Sequence, residues 1–179
     1  MVQGAARLLA TRGLQGASFG EIIEQTGVPR GSIYHHFPGG KDQLVGEAIA
    51  WAGERALAQI RAHDGESAES IAAAFLDLWR QLLVRGDFRA GCAVLAVTVA
   101  TNADSLLEGA ATIFTTWQDT LARLLEQGGL SAVDATQFAA LLIAASEGAV
   151  VMSRAQRDIA SFDVVADSIL HQIRKLTSE

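Results

Sequence analysis

The sequence predicts an all-α fold, on the evidence of its composition and of the spacing of its apolar residues. Of the 179 residues, 50% are hydrophobic, 19% are charged and only two are proline, which is typical of a compact globule and not of a disordered chain. Alanine and leucine are abundant, and the alternating β-branched pattern of strands is scarce. Apolar residues recur instead at steps of three and four, for example at Ile71, Phe75, Leu78 and Leu82. Each such segment is predicted to be a helix with one buried face.

Three short helices are predicted at the N-terminal end, the first over about residues 3–12. Ser18 and Glu21 have the spacing of a capping box, in which serine and glutamate side chains satisfy each other's backbone donors at a helix start. They therefore mark the start of the second helix. Gly27 suits the positive φ of a tight turn, and Pro29 suits the first turn of the third helix, where its missing N–H costs nothing.

The third helix carries polar side chains and no acid. Ile33 and Phe37 are four residues apart and are expected to share a core-facing side. The other side chains of residues 30–36 are mostly hydrogen-bond donors. Lys41 starts a fourth helix, where its charge and the free backbone N–H groups could both face a phosphate. Such a pair of helices is either a DNA-reading helix-turn-helix or a plain hairpin within a larger bundle, and spacing alone leaves both open.

A family resemblance favours DNA binding. Residues 26–37 read TGVPRGSIYHHF, and Lys41 and Leu44 follow them. This pattern resembles the DNA-binding signature of the TetR family. Three segments are also similar to the LmrA/YxaF-type subgroup of that family: residues 34–42, 89–92 and 146–149. The resemblance is sharp over the first 50 residues and mostly architectural after them.

The resemblance implies DNA contacts residue by residue. Phosphates would be held by Ser18, Tyr34, His36 and Lys41. Base edges in the major groove would be reached by Arg30, Ser32 and His35, with Gly31 allowing close approach. The resemblance also implies a homodimer that represses transcription by binding a palindromic, double-stranded DNA operator. A small apolar or aromatic effector would release it.

The distribution of charge has the sign that a DNA-binding end requires. The net charge is −6, but residues 1–45 hold four basic and three acidic side chains, whereas residues 46–179 hold ten and seventeen. Acidic residues are thus concentrated away from the predicted DNA face. The acidic total keeps an alternative open, namely a helical small-molecule-binding dimer without sequence-specific DNA binding.

Two domains are predicted, a DNA-binding domain of residues 1–45 and a helical ligand-binding and dimerisation domain of residues 46–179. A fourth helix over about residues 41–62 joins them and could carry a displacement from one to the other. Five further helices, which bring the total to about nine, are expected near residues 67–84, 90–100, 104–126, 131–157 and 162–176.

Two sites are predicted in the second domain. A mostly apolar ligand pocket could be lined by Phe75, Trp79, Cys92, Leu95, Phe114, Trp117, Ile143 and Glu147, although aromatic residues at helical spacing are more often plain core. The last two helices are apolar on more than one face, which suits either the core of a monomer or a two-fold helical interface. The expected interface residues are Phe138, Leu142, Ala145, Ala149, Ile169 and Ile173.

The sequence contains no motif for catalysis or for metal or cofactor binding. The four histidines lack the Glu-x-x-His and His-Glu-x-x-His spacings, and no phosphate-cradling glycine loop is present, so neither an enzyme nor a cofactor is expected. The single cysteine, Cys92, cannot form an internal disulfide, which fits a reducing cytoplasm. Uninterrupted apolar runs are far shorter than the roughly 20 residues that span a bilayer, so no membrane partner is expected.

Overall fold

A computed structural model describes residues 1–177, and of Arg30, Ile33 and Tyr34 it describes only the backbone. Within that range the chain forms nine α-helices and no strand, which confirms the predicted all-α class. The helices are α1 Val2–Arg12, α2 Phe19–Thr26, α3 Arg30–His36, α4 Gly40–Arg61, α5 Ala68–Arg85, α6 Ala93–Thr98, α7 Asp104–Gln127, α8 Ala132–Gln156 and α9 Ala160–Thr177.

Side-chain caps fix the starts of several helices. Ser18, Ser67 and Ser131 have an extended backbone, and each Oγ atom accepts the N–H of the residue three positions later. Helix α6 is shorter than predicted because Cys92 takes the capping role there. Its Sγ atom accepts the N–H of Leu95 at 3.4 Å, so the helix begins only after Cys92.

The helices pack as two compact units. The first unit comprises residues 1–55 and 92–113, and within it α1 packs against both α2 and α6. The second comprises residues 56–91 and those from Phe114 onward, and there α5, α8 and α9 pack on one another. Helices α4 and α7 contribute residues to both units. The division into domains 1–45 and 46–179 stays a prediction, because compact packing units need not fold as separate domains.

The first unit has its own small core beneath the helix-turn-helix. Leu8, Ile22 and Leu44 are fully buried. Phe37, which follows the last residue of α3, is 5% exposed, as predicted for a core-facing residue. The side chain of Ile33, predicted to join them, lies outside the described atoms.

In the second unit, α9 is held against α5 by apolar packing and by two ion pairs. Arg80 Nε lies 3.0 Å from Asp163 Oδ1, and Arg174 Nε lies 2.5 Å from Glu69 Oε1. The four side chains are 40–55% exposed, so water screens both ion pairs and they stabilise the contact only modestly. Burial of apolar side chains such as Phe162 stabilises it more.

Helix α8 is apolar around most of its circumference. By length and composition it could cross a membrane, the one such helix among residues 1–177. Half of that apolar stretch is buried inside the protein, where α8 packs against α5 and α9. A core helix of a globular protein has the same composition, so the helix by itself does not indicate a membrane span.

Candidate DNA-binding site and helical body

The helix-turn-helix is formed by α2, α3 and the turn between them. Ser18 Oγ accepts the N–H of Glu21 at 3.2 Å, which confirms the serine half of the predicted capping box. The Glu21 carboxylate pairs with Arg12 Nη1 at 2.5 Å, an ion pair between α2 and α1 that the capping-box prediction did not include. Gly27 adopts the left-handed conformation, with φ 67° and ψ 14°, which glycine reaches without steric cost because it has no Cβ atom.

Helix α3 presents hydrogen-bonding groups to solvent. His35 and His36 are exposed, with ring centroids 5.6 Å apart, and Ser32 is half-buried. Gly31 is exposed, and a Cβ atom built on it would meet no atom within 4 Å. Packing within the protein therefore does not require glycine at position 31, and the bare backbone is open to close approach by another molecule.

Lys41 has an internal partner that the sequence did not suggest. Its Nζ atom donates to the backbone carbonyl of Leu14 at 3.0 Å, which joins the start of α4 to the loop between α1 and α2. Because an ammonium group carries three donors, two N–H bonds remain for a phosphate. Ser18 is exposed as well, whereas the side chains of Arg30 and Tyr34, two further predicted DNA contacts, lie outside the described atoms.

Four of the predicted pocket residues form one aromatic cluster in the second unit. Phe75 packs edge-on against Trp79, with ring centroids 6.1 Å apart. Trp117 lies edge-on to both Trp79 and Phe114, at 6.0 and 5.7 Å, an arrangement that aromatic quadrupoles favour. Only Phe114 is half-buried, and the other three rings are buried.

Buried polar atoms accompany the apolar side chains of this unit. Neither Trp79 Nε1 nor Ser153 Oγ has a hydrogen-bond partner. Ile143 and Glu147, also predicted for the pocket, are each 5% exposed and lie four residues apart on α8. Ser153 was not predicted, although its spacing of seven residues from the buried Ser146 places both on one side of α8.

The remaining two predicted pocket residues belong to the other unit. Cys92 and Leu95 lie in the segment 92–113 of the first unit, where Cys92 caps α6 through its sulfur atom. The aromatic cluster is therefore formed by residues of the second unit alone.

The residues predicted for the dimer interface lie mostly in the core of one chain, and their role in a dimer stays a prediction. Phe138, Leu142, Ala149, Ile169 and Ile173 are at most 7% exposed, and Ala145 is half-buried. The side chains of the first five are therefore packed mainly within one chain. The exposed apolar stripe of α8 consists of Ala140, Leu141, Ala144, Gly148, Val151 and Met152. The sequence could not separate the stripes, because a helix that is apolar all round has no polar side to mark which face is outward.

The all-α fold and the exposed second helix of the helix-turn-helix, α3 (the reading helix), are typical of helix-turn-helix DNA-binding proteins. Comparison with known proteins gives the family. Residues 2–48 match the model of bacterial regulatory proteins of the tetR family. Residues 68–168 match the C-terminal domain of LmrA/YxaF-like transcriptional regulators. The chain therefore belongs to the TetR family of transcriptional regulators, in its LmrA/YxaF-like branch.

Individual relatives agree with this assignment over nearly the whole chain. An uncharacterized HTH-type transcriptional regulator of Mycobacterium tuberculosis is 35% identical over 172 residues, which cover 92% of this chain and 88% of the relative. A TetR transcriptional regulator from Chloroflexus aurantiacus has 26% identity and a TM-score of 0.79, covering 97% and 91% of the two chains. A cysteine mutant of the TetR family regulator CifR, solved with 26bp operator DNA, shares the fold at 23% identity and a TM-score of 0.73, over 95% and 93%. The protein is thus a DNA-binding transcriptional regulator and not an enzyme.

Proposed function

We propose that the protein is a ligand-responsive transcriptional repressor, acting in the cytoplasm on a palindromic operator. It binds the operator as a homodimer and is released by a small apolar or aromatic molecule. The observation that carries the proposal is that each unit contains a different candidate site. The first unit presents an exposed, acid-free reading helix, and the second contains a buried aromatic cluster with an unsatisfied donor.

On DNA, α3 enters the major groove. The groups that hold phosphates are Ser18, Tyr34, His36 and Lys41, and those that reach base edges are Arg30, Ser32 and His35. The open space around Gly31 supports a close approach of the helix to the bases. Arg30→Ala is expected to relax the preference at one base pair, by about 1–3 kcal/mol of discrimination.

The dimer forms through the exposed stripe of α8 together with exposed apolar residues of α9, such as Val164 and Leu176. None of the six exposed residues of the α8 stripe, from Ala140 to Met152, is charged. The centres of protein–protein interfaces are likewise depleted of charged residues. A two-fold pairing of α8 and α9 gives a four-helix interface. Two reading helices then address half-sites about one helical turn apart, roughly 34 Å.

The effector binds at the aromatic cluster, where Trp79 supplies a hydrogen bond. An unsatisfied buried donor costs about 1–3 kcal/mol, and a ligand that places an oxygen acceptor against Trp79 Nε1 recovers part of it. Phe75 and Trp117, which lie edge-on to the Trp79 ring, and Phe114, which lies edge-on to Trp117, supply flat apolar surface. The ligand class supported is therefore a planar aromatic molecule that carries a carbonyl or phenolic oxygen.

The first experiment is selection of bound sequences from a pool of random duplex DNA, followed by titration of the best duplex at several salt concentrations. Enrichment of a palindrome, with an affinity that falls steeply as salt rises, supports the dimeric repressor. Retention of no sequence at low salt contradicts it and favours the alternative, a helical small-molecule-binding dimer without specific DNA binding.

A further inference from the structure

The reading helix is joined to α4 by a short turn that contains the adjacent glycines Gly39 and Gly40. The turn lies between His36 and Lys41, which are both proposed phosphate contacts, so its conformation sets the distance between them. Phe37 fixes the start of the turn, because its side chain is buried in the core of the first unit. A pair of glycines leaves the rest of the turn with unusual backbone freedom. A fixed spacing of the two phosphate contacts therefore needs a restraint from outside the turn.

That restraint comes from the side chain of Gln43, in the first turn of α4. Its Oε1 atom accepts the N–H of Gly39 at 2.9 Å, and its Nε2 atom donates to Glu47 Oε1 at 3.0 Å. Since an ionised carboxylate only accepts hydrogen bonds, Glu47 holds the amide in the orientation that presents oxygen to the Gly39 N–H. The three residues thus form a chain of two hydrogen bonds that runs from α4 back to the turn.

Gly39 is matched to this side chain. A Cβ atom built on it would lie 3.1 Å from Gln43 Oε1 and 3.2 Å from Gln43 Cβ, which is closer than an ordinary contact. The backbone does not require glycine there, because the residue of this turn with positive φ is Gly40, at 76°, and not Gly39. The close approach of Gln43 is therefore the feature of the structure that accounts for glycine at position 39.

The position of Glu47 is unfavourable for DNA binding in electrostatic terms. Glu47 is exposed, and it lines the same surface hollow as His36, a proposed phosphate contact. A carboxylate at this place repels a polyanion, so its removal would tighten DNA binding if charge were its only effect. A role in holding Gln43 predicts the opposite, because removal then loosens the turn. The two effects differ in sign, and substitutions can separate them.

We propose that Gln43 is a positioning residue for operator binding and that Glu47 holds it in place. The pair fixes the turn after the reading helix and, with it, the spacing of the phosphate contacts His36 and Lys41. Gln43 acts without touching DNA. This role rests on the proposed docking of the helix-turn-helix. A net hydrogen bond is worth a factor of about 2–10 in an equilibrium constant, so its loss from both protomers is expected to weaken operator binding about 4- to 100-fold.

The test measures binding of the full-length protein to the duplex recovered from the random pool, by fluorescence anisotropy. Gln43→Ala is expected to raise the Kd within that range, by the same factor for the selected duplex and for duplexes with single base-pair changes. Gln59→Ala makes the same substitution at an exposed position of the same helix and is expected to leave the Kd unchanged. Circular dichroism at the assay temperature establishes that each variant is folded. A loss confined to one base pair would mean that Gln43 reads a base, which overturns the positioning role.

Glu47 supplies a readout that a helix cap without a role in DNA binding would not move. Glu47→Ala is expected to weaken operator binding even though it removes a negative charge. Glu47→Gln removes the same charge but keeps an oxygen that accepts from Gln43, so it is expected to bind at least as tightly as the wild type. In the Gln43→Ala background, Glu47→Ala is expected to cause no further loss. Tighter binding by Glu47→Ala, or equal weakening by both Glu47 variants, overturns the proposal, because the carboxylate then acts through its charge alone.

A measurement without DNA examines the restraint itself. The rate at which the Gly39 amide proton exchanges with water, measured by heteronuclear NMR, is expected to rise in Gln43→Ala and in Glu47→Ala, and to stay at the wild-type value in Glu47→Gln. If the rate in Gln43→Ala equals that of the wild type, the restraint is overturned and the repressor stands. If the wild type retains no duplex, the proposed function fails, and the positioning role fails with it.

Discussion

Two adjacent leucines of α8 test the division of that helix into an inward and an outward stripe. Leu142 is fully buried in one chain, whereas its neighbour Leu141 is 38% exposed and lies on the proposed dimer face. Leu142→Ala and Leu141→Ala make the same chemical change one residue apart in the same helix. Differences between them therefore report burial and not helix propensity.

The first substitution is expected to lower the stability of the folded chain, and the second to weaken the dimer. Truncation of a buried leucine to alanine costs about 2–5 kcal/mol, which for a chain of this size lowers Tm by roughly 5–15 °C. Leu141 can bury in a dimer only the part of its surface that is exposed, worth about 0.5–1 kcal/mol per copy from the 1.5–3 kcal/mol of a whole side chain. Two copies lose about 1–2 kcal/mol, so the dimer Kd rises roughly 5- to 30-fold.

Thermal melting by circular dichroism measures the first effect, and sedimentation equilibrium measures the second. We expect Leu142→Ala to have a lower Tm than the wild type at every protein concentration. We expect Leu141→Ala to dissociate at concentrations where the wild type is dimeric. If Leu142→Ala has the Tm of the wild type, or if Leu141→Ala leaves the dimer Kd unchanged, the division of α8 into an inward and an outward stripe is refuted.

Three other substitutions follow from contacts in the structure. Lys41→Ala should weaken binding to all duplexes alike and reduce the salt slope by about 0.9, because one phosphate contact is lost; an unchanged slope would contradict the docking. Ser153→Ala should lower the free energy of unfolding by less than about 1 kcal/mol or raise it, because the buried Oγ has no partner. The matched variant Ser67→Ala removes a helix cap and should lower the free energy of unfolding by about 1 kcal/mol; urea titration measures both. Hydrogen bonds from Ser70, and then from His63, lower the pKa of Glu66 below its usual value of 4.5. The carboxylate therefore stabilises the wild type relative to Glu66→Gln above pH 4.5, and this stabilisation is lost as the pH falls through the lowered pKa. Denaturation midpoints at pH 7 and pH 3 measure this difference, and an equal advantage at both would refute it.

Local features of the DNA-reading end could be predicted from the sequence because they depend on neighbouring residues. A serine at the start of a helix can accept the N–H of the residue three positions later, and Ser18, Ser67 and Ser131 all do so. Gly27 likewise marks a left-handed turn by its missing Cβ atom. The family pattern in residues 26–37 added the function, which spacing had left open.

Contacts between distant residues could not be predicted in the same way. Lys41 donates to a carbonyl 27 residues earlier, and no periodicity in the sequence indicates that pair. The sequence suggested a set of side chains for one ligand pocket, which stays a prediction. Only the fold shows which of these side chains contact one another and that Cys92 and Leu95 belong to the other unit.

By itself, the sequence determined the helical class, the helix-turn-helix and the family, because each is encoded in short-range spacing and in residue types that act locally. The tertiary structure alone decided which stripe of α8 faces outward and which carbonyl accepts the hydrogen bond of Lys41. The physical reason is that an apolar residue gains by burial against any neighbour, since the hydrophobic effect has no direction. Its sequence position indicates that it will be buried, but the partner is fixed only when the helices pack.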